Sequence, residues 1–107
     1  MTVYHYVVVR ADLPLGVQLA QTIHAAGESS TGNLPPDTHA VALHARDIHE
    51  LHRTHQDLVR AGIPSVLICE PDAPHNGDAV AIGVKPCGRD LVRPVLRGLP
   101  LAFKEPK

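Results

Sequence analysis

The order of strand-like and helix-like segments constrains the fold of this chain more than any other feature. Residues 3–9, VYHYVVV, are aromatic and β-branched, which predicts a buried strand. A segment with helical apolar spacing follows at about 16–29, and a second lies between a capping-box-like start at Asp47 and Gly62. Further strands are predicted at 38–45, 65–69 and 78–84, and a last helix at about 88–96.

This order, β-α-β-α-β-β-α, predicts how the strands pair. Two helical crossovers imply parallel strands with right-handed connections. The link at 70–77 is too short for a helical crossover, so the third and fourth strands should be antiparallel. A chain of 107 residues fits one domain, taken as 1–107. We therefore expect a layered α/β domain with a mixed four-stranded sheet.

Charge and composition exclude several functional classes. The formal net charge of −1 is not that of a strongly basic nucleic-acid binder, although the stretch from Lys85 onward holds six basic and two acidic residues. No run of 18 apolar residues and no signal-peptide pattern is present, so no membrane association is expected. Cys69 and Cys87 form no CxxC pair. A reduced, cytoplasmic protein is the simplest interpretation.

The first helix carries two polar residues beside its apolar stripe. Gln21 and His24, followed by Glu28, form a line at the stripe's edge that can face a cleft at the carboxyl end of the first strand. A border histidine making an ordinary hydrogen bond is the alternative. The stripe expected to pack on the sheet consists of Gly16, Leu19, Ala20, Ile23, Ala26 and Gly27.

An acidic segment, EPDAPHNGD at 70–78, follows the third strand directly. It contains Glu70, Asp72, His75 and Asp78, and carboxylates with an imidazole can perform general acid–base chemistry. A polar surface loop, in which Asp and Asn form turns, is the alternative.

The segment HELHRTH at 49–55 resembles a metal-binding motif. His49 and His52 are three residues apart, whereas the zinc protease pattern needs four, and no third ligand is evident. We expect solvated helix histidines and no metal.

Three arginines near the C-terminal end are spaced four residues apart. If the last helix continues past Pro94, then Arg89, Arg93 and Arg97 form one basic ridge that can contact phosphates. Solvated surface arginines are the alternative.

Four segments, taken together and in order, resemble the archaeal/eukaryotic-type (type II) peptidyl-tRNA hydrolases. They read YVVVRADLPLG, AQTIHA, LVRAGIPSVLI and NGDAVAIGVKP. The family pattern has a valine-rich strand with Asp-Leu, an Ala-Gln-x-x-His-Ala helix, a helix end with glycine and proline, and a glycine-containing last strand. The resemblance implies a three-layer α/β/α sandwich, a homodimer, and hydrolysis of the ester that joins a peptide to tRNA, without a cofactor.

The resemblance also implies site residues. Gln21 and His24 match the helix signature that borders the active cleft, and Asp12 matches the Asp-Leu. Glu70 falls where the catalytic aspartate of the family should be, with Asp72 nearby. The lysines of the family's Gly-Lys-Gly-Lys segment are absent from the stretch GVQLAQ, and the nearest cation is that of Arg10.

We therefore expect a divergent peptidyl-tRNA hydrolase-like ester hydrolase. Glu70 or Asp72 would activate water, His24 would orient it or the substrate, and Gln21 would donate to the ester or the ribose. The residues expected to contact the substrate are Arg10, Asp12, His75, Asn76, Arg89 and Arg93. One alternative is a non-catalytic homodimer of this fold that binds RNA or a protein, and another is a hydrolase for a different small acyl ester or amide.

Overall fold

The computed structural model describes residues 2–104. They form three helices and one sheet of five strands. Their bounds are β1 Val3–Arg10, α1 Leu15–Ser29, β2 His39–Ala45, α2 Ile48–Arg60, β3 Ser65–Glu70, β4 Asp78–Val84, β5 Cys87–Gly88 and α3 Arg89–Leu96. Every predicted helix and strand is present. None of the helices among these residues has the length and hydrophobicity needed to cross a membrane.

The sheet is mixed, as predicted, with strand order β2-β1-β4-β3. β1 and β2 are parallel, whereas β4 is antiparallel to both β1 and β3. The two-residue β5 pairs with the start of β1 and was not predicted, because two residues are too few to show a strand pattern. The sheet therefore has five strands rather than four.

The central strand β1 explains why the valine-rich segment is apolar throughout. Val7 and Val9 belong to the core cluster beneath α1, together with Ala25. Tyr6 and Val8 belong to the larger cluster on the other face, which α2 and α3 cover. Because successive strand residues point to opposite faces, β1 is buried on both sides. This arrangement is the expected α/β/α sandwich.

The predicted start and stop signals of α2 are confirmed. The Asp47 carboxylate accepts a hydrogen bond from the Glu50 backbone N–H at 2.9 Å, and Glu50 Oε1 accepts from the Arg46 N–H at 2.8 Å. The first contact satisfies a backbone donor that the first helical turn leaves free, and the second ties the residue before the N-cap to the helix. Gly62, with φ +72°, follows the end of the helix.

The buried face of α1 differs from the predicted one. The buried side chains of α1 are those of Gln18, Gln21 and Ala25, and the half-buried Val17 and Ala26 pack against the same core cluster, as predicted for Ala26. Leu19 and Ile23, which were expected in the core, are 46% and 75% exposed. The prediction of a leucine- and isoleucine-lined contact with the sheet is wrong.

The close approach of α1 to β4 gives the physical reason. A Cβ on Gly83 would lie within 3.0 Å of both the Ala25 carbonyl oxygen and the Ser29 side chain. At this separation only small side chains fit between the helix and the sheet. The large apolar side chains of α1 therefore point away from the sheet, and the glutamines reach polar partners at its edge.

Candidate active site

A hydrogen bond joins α1 to the end of β3. Gln21 Nε2 donates to Glu70 Oε2 at 2.8 Å, and Gln21 is only 8% exposed. The other carboxylate oxygen, Oε1, accepts from the Asp72 backbone N–H at 3.1 Å. Gln21 and Glu70 therefore meet at the edge of the sheet where β1 and β3 end, as predicted from the sequence. Both oxygens of the carboxylate are held in place by these contacts.

The Gln21–Glu70 pair lies beside an open cleft of about 350 Å³. On the α1 side the cleft is lined by Gly16, Val17 and Ala20, whose small size leaves the space open. On the other side it is lined by the β3–β4 loop, through Asp72, Ala73, Pro74 and His75. An acid, an amide and an imidazole therefore share one concave surface.

The β3–β4 loop is a tight turn held by its own backbone. The N–H groups of His75 and Asn76 both donate to the Asp72 carbonyl, at 2.9 and 3.1 Å, and the Gly77 N–H donates to the Glu70 carbonyl at 2.7 Å. Asn76 has φ +49° and its amide donates to the Pro74 carbonyl at 3.4 Å. His75 lines the cleft and Asn76 does not, so the expected substrate contact is not supported for Asn76.

One buried atom of the pair has no partner. Gln21 Oε1 is enclosed and accepts no hydrogen bond from residues 2–104. Gln21 Nε2 is already engaged with Glu70, so the amide orients the carboxylate. The expected donation from Gln21 to the ester or the ribose stays a prediction, since Nε2 has a second hydrogen besides the one directed at Glu70.

His24 does not line the cleft. Its side chain is 53% exposed, and its Nε2 lies 3.6 Å from Glu28 Oε1, one turn further along α1. At about 100° per residue, His24 lies about 100° from Ala25 and about 120° from Gln18 around the helix, so it falls outside the buried face that Gln18, Gln21 and Ala25 share. The prediction that His24 converges with Glu70 is therefore wrong.

Arg10 and Asp12 form a closed ion pair outside the cleft. Arg10 Nε and Nη2 donate to the two Asp12 carboxylate oxygens at 2.9 and 3.0 Å, and Nη1 donates to the Ala79 carbonyl at 3.1 Å. The hydrogen bond from Arg10 lowers the pKa of Asp12 below its ordinary value. Because these contacts occupy both groups, the structure does not support their expected role in substrate binding.

Arg89 and Arg93 lie far from Glu70 in the fold. Helix α3 continues past Pro94 to Leu96, so the predicted basic ridge with Arg97 forms. The ridge lines a groove with Tyr4 and Tyr6, on the sheet face opposite α1. These arginines therefore do not share the cleft of the Gln21–Glu70 pair.

The histidines of the HELHRTH segment and the two cysteines form no metal centre within the described part of the chain. His49 and His52 are exposed on α2, as predicted. Cys69 and Cys87 are free thiols. Within residues 2–104, no three His, Cys, Asp or Glu side chains are grouped so that they could hold a metal ion.

Sequence reasoning missed a polar network that supports the start of α1. Gln18 Nε2 donates to the carbonyls of Ala11 and Leu13, at 3.2 and 2.7 Å. Its Oε1 must therefore accept, and it lies 2.7 Å from His44 Nε2. These hydrogen bonds stabilise the turn between β1 and α1. The signal in the sequence was a second glutamine three residues before Gln21, on the same helix face.

The protein is an α/β/α sandwich with a polar cleft at the edge of the sheet where β1 and β3 end. The Gln21–Glu70 pair lies beside this cleft. A solved structure with this fold is that of Atu0240, a protein of unknown function from Agrobacterium tumefaciens strain C58. The TM-score is 0.64 at 17% identity, over 94% of this chain and 98% of that one, so the similarity concerns the fold alone. No family model and no curated protein sequence matches the chain.

Proposed function

We propose that this protein is a cytoplasmic ester hydrolase, related in mechanism to the type II peptidyl-tRNA hydrolases, that releases free tRNA from peptidyl-tRNA. The observation that carries the proposal is the carboxylate of Glu70, held by Gln21 at 2.8 Å beside an open cleft. A carboxylate fixed in this way can act as a general base.

In the proposed reaction, Glu70 takes a proton from a water molecule that lies in the cleft. Each carboxylate oxygen has two acceptor positions, so the contacts from Gln21 and the Asp72 N–H leave room for this water. The hydroxide attacks the ester carbonyl and forms a tetrahedral intermediate. The intermediate collapses with cleavage of the bond to the ribose oxygen, which takes the proton back from Glu70. The products are a free tRNA hydroxyl and a peptide carboxylic acid, which releases its proton to the solvent at neutral pH.

The other cleft residues have supporting roles in this proposal. His75 lies on the cleft wall, where its imidazole can hydrogen-bond the ribose or the leaving oxygen. Asp72 is exposed on the same wall and is the alternative base. Gln21 acts as a positioning residue because its amide holds the carboxylate of Glu70.

The test is release of free tRNA from N-acyl-aminoacyl-tRNA by the purified chain, beside a known family member. Glu70→Gln keeps an oxygen that accepts from Gln21 but removes the base, so release should fall by about 100-fold or more. Glu28→Gln, which changes an exposed glutamate of α1 outside the cleft, should release tRNA at the unmodified rate. Equal rates for the Glu70 variant and the unmodified chain would exclude Glu70 as the base.

A second candidate function is a non-catalytic homodimer of the same fold that binds RNA or a protein. No lysine or arginine among residues 2–104 lines the cleft, which favours a non-catalytic function because no such cation is there to stabilise an oxyanion. A homodimer, expected for either function, is favoured by the exposed row of Leu15, Leu19 and Ile23 on α1. Gly16 and Ala20 lie beside this row and are small enough to let a second helix approach closely. If the unmodified chain releases no tRNA while the family member does, this candidate replaces the first.

A further inference from the structure

A second groove lies on the sheet face opposite the Gln21–Glu70 cleft. Its volume is about 390 Å³, and it is formed by side chains of β1, β2, α3 and the segment that follows α3. Its floor is apolar, with leucine and valine side chains, and its aromatic wall consists of Tyr4 and Tyr6. The proposed hydrolytic reaction makes no use of it.

The rim of this groove is strongly basic. Arg89, Arg93 and Arg97 line it from successive turns of α3 and its C-cap, and all three are exposed. None of them is paired with an acidic side chain within residues 2–104. Asp90 lies among them and, with Arg93 and Arg97, lines an adjoining hollow. Three guanidinium groups and one carboxylate leave two positive charges to be balanced.

One of these arginines, Arg89, contacts the aromatic wall. The guanidinium carbon of Arg89 lies 5.8 Å from the centroid of the Tyr4 ring, which is within the range of a cation–π contact. The Tyr4 and Tyr6 rings are nearly parallel, at 17° and with centroids 5.9 Å apart. Tyr6 is only 9% exposed, and the Tyr4 ring also stacks on His39 with centroids 5.0 Å apart. The aromatic surface of the groove is therefore that of the half-buried Tyr4 ring beside the Arg89 guanidinium.

This combination selects a ligand by charge and by shape. A phosphomonoester carries about −1.5 to −2 charges at neutral pH, which balances the two excess positive charges better than a single carboxylate does. Arginine side chains bind phosphate through paired N–H groups, and their planes also stack on nucleobases. The groove volume lies at the lower end of the range for small-molecule sites, which is about 300–1,000 Å³.

We propose that this groove binds a nucleoside monophosphate, with the phosphate on Arg93 and Arg97 and the base against Tyr4 and Arg89. The site lies apart from the hydrolytic cleft and does not rest on the function proposed for it.

Calorimetric titration of the full chain with adenosine 5′-monophosphate tests the proposal, with adenosine and inorganic phosphate as partial ligands. We expect saturable one-to-one binding of the nucleotide, at least about tenfold tighter than of either part. Arg93→Gln should weaken nucleotide binding about tenfold or more. Arg53→Gln changes an exposed arginine of α2 outside the groove and should leave binding unchanged, as should Glu70→Gln in the other cleft.

Several results would overturn the proposal. Binding that does not saturate at millimolar nucleotide is one, and equal affinity for adenosine and its monophosphate is another. A third is that Arg53→Gln weakens nucleotide binding as much as Arg93→Gln does. Decyl phosphate that binds as tightly as the nucleotide would show that the base is not recognised. An oligoadenylate whose affinity rises steeply with length would show an RNA-binding surface instead. A thermal denaturation scan of each variant confirms that it is folded, since the exposed Arg93 contributes little to the core.

Discussion

Two histidines are held in a single tautomer by hydroxyl and amide partners. The Ser29 hydroxyl donates to the Ala25 carbonyl at 2.7 Å, so its oxygen is left to accept from His5 Nε2, at 2.8 Å. His44 Nε2 donates to Gln18 Oε1 for the corresponding reason. Burial lowers the pKa of both His5 and His44 below the ordinary value of 6.5. Both histidines are therefore neutral in the folded chain at neutral pH.

These lowered pKa values predict that the protein loses stability in mild acid. Because the pKa of each histidine is lower in the folded chain, the unfolded chain takes up the protons first. The contribution of these two histidines to the free energy of unfolding should be constant above about pH 7.5 and fall as the pH drops below 6.5. Urea unfolding between pH 7.5 and pH 5 measures it.

A matched pair of variants assigns this pH dependence. His44→Gln keeps a donor for Gln18 and removes one titrating group, so the decline should become shallower. His52→Gln alters an exposed histidine and should leave the decline as it is. If neither His44→Gln nor His5→Gln changes the decline of the free energy of unfolding, the assignment to these histidines is wrong.

Arg10 should matter for stability rather than for hydrolysis. Its side chain is 11% exposed and links the end of β1 to Asp12 and to the first residues of β4. Arg10→Ala leaves the Ala79 carbonyl without this donor and should lower the free energy of unfolding by about 1–2 kcal/mol, since Asp12 remains partly solvated.

Chemical denaturation together with the tRNA-release assay tests this prediction, and Arg53→Ala is the exposed control. A variant at Arg10 that is as stable as the unmodified chain but has lost hydrolysis would place Arg10 in the reaction after all.

The contact between α1 and β4 depends on one glycine. Gly83→Ala would drive a methyl group into the Ala25 carbonyl and the Ser29 side chain, so α1 must move away from the sheet. Overpacking of this kind costs about 1–3 kcal/mol, and thermal unfolding should show a clearly lower midpoint.

Gly27→Ala is the matched control on the same helix, because nothing lies within 4 Å of the added Cβ. It should raise stability by about 0.5–1 kcal/mol through its helix propensity. If the two substitutions have equal effects, the close approach of α1 is not what makes glycine necessary at position 83.

The exposed apolar row on α1 predicts how whole molecules associate. Leu15 and Ile23 are 62% and 75% exposed, and burying them against a second copy would remove a large apolar area from water. We expect a homodimer that buries roughly 800 Å² per partner. Light scattering at micromolar concentration measures the mass.

Ile23→Lys should convert the dimer to a monomer, because the ammonium group would be buried without a partner. Val59→Lys, at a valine of α2 that is 60% exposed, should leave the mass unchanged. A monomeric unmodified chain would exclude the homodimer at that concentration.

Local signals in the sequence were sufficient to predict the three helices and the four longer strands in their order, but not the two-residue β5. The valine-rich run in β1, the Asp47 and Glu50 pair at the start of α2, and Gly62 at its end act within a few residues of one another. The short β3–β4 link was likewise sufficient to predict an antiparallel pair. The place of Gln21 at the edge of the apolar stripe and of Glu70 just past β3 pointed to one cleft, and the resemblance to a family gave the two residues their expected roles.

The tertiary structure decided which face of α1 packs against the sheet. In the sequence, Leu19 and Ile23 have the spacing of core residues. Gly83, about sixty residues further along the chain, has no side chain and lets α1 approach β4 so closely that these large side chains do not fit between them. The exposure of His24 follows from the same orientation of α1. Gln21 and Glu70 are 49 residues apart and meet only because α1 crosses the end of β3. Capping and strand propensity depend on neighbouring residues, whereas the orientation of a helix depends on the surface against which it packs.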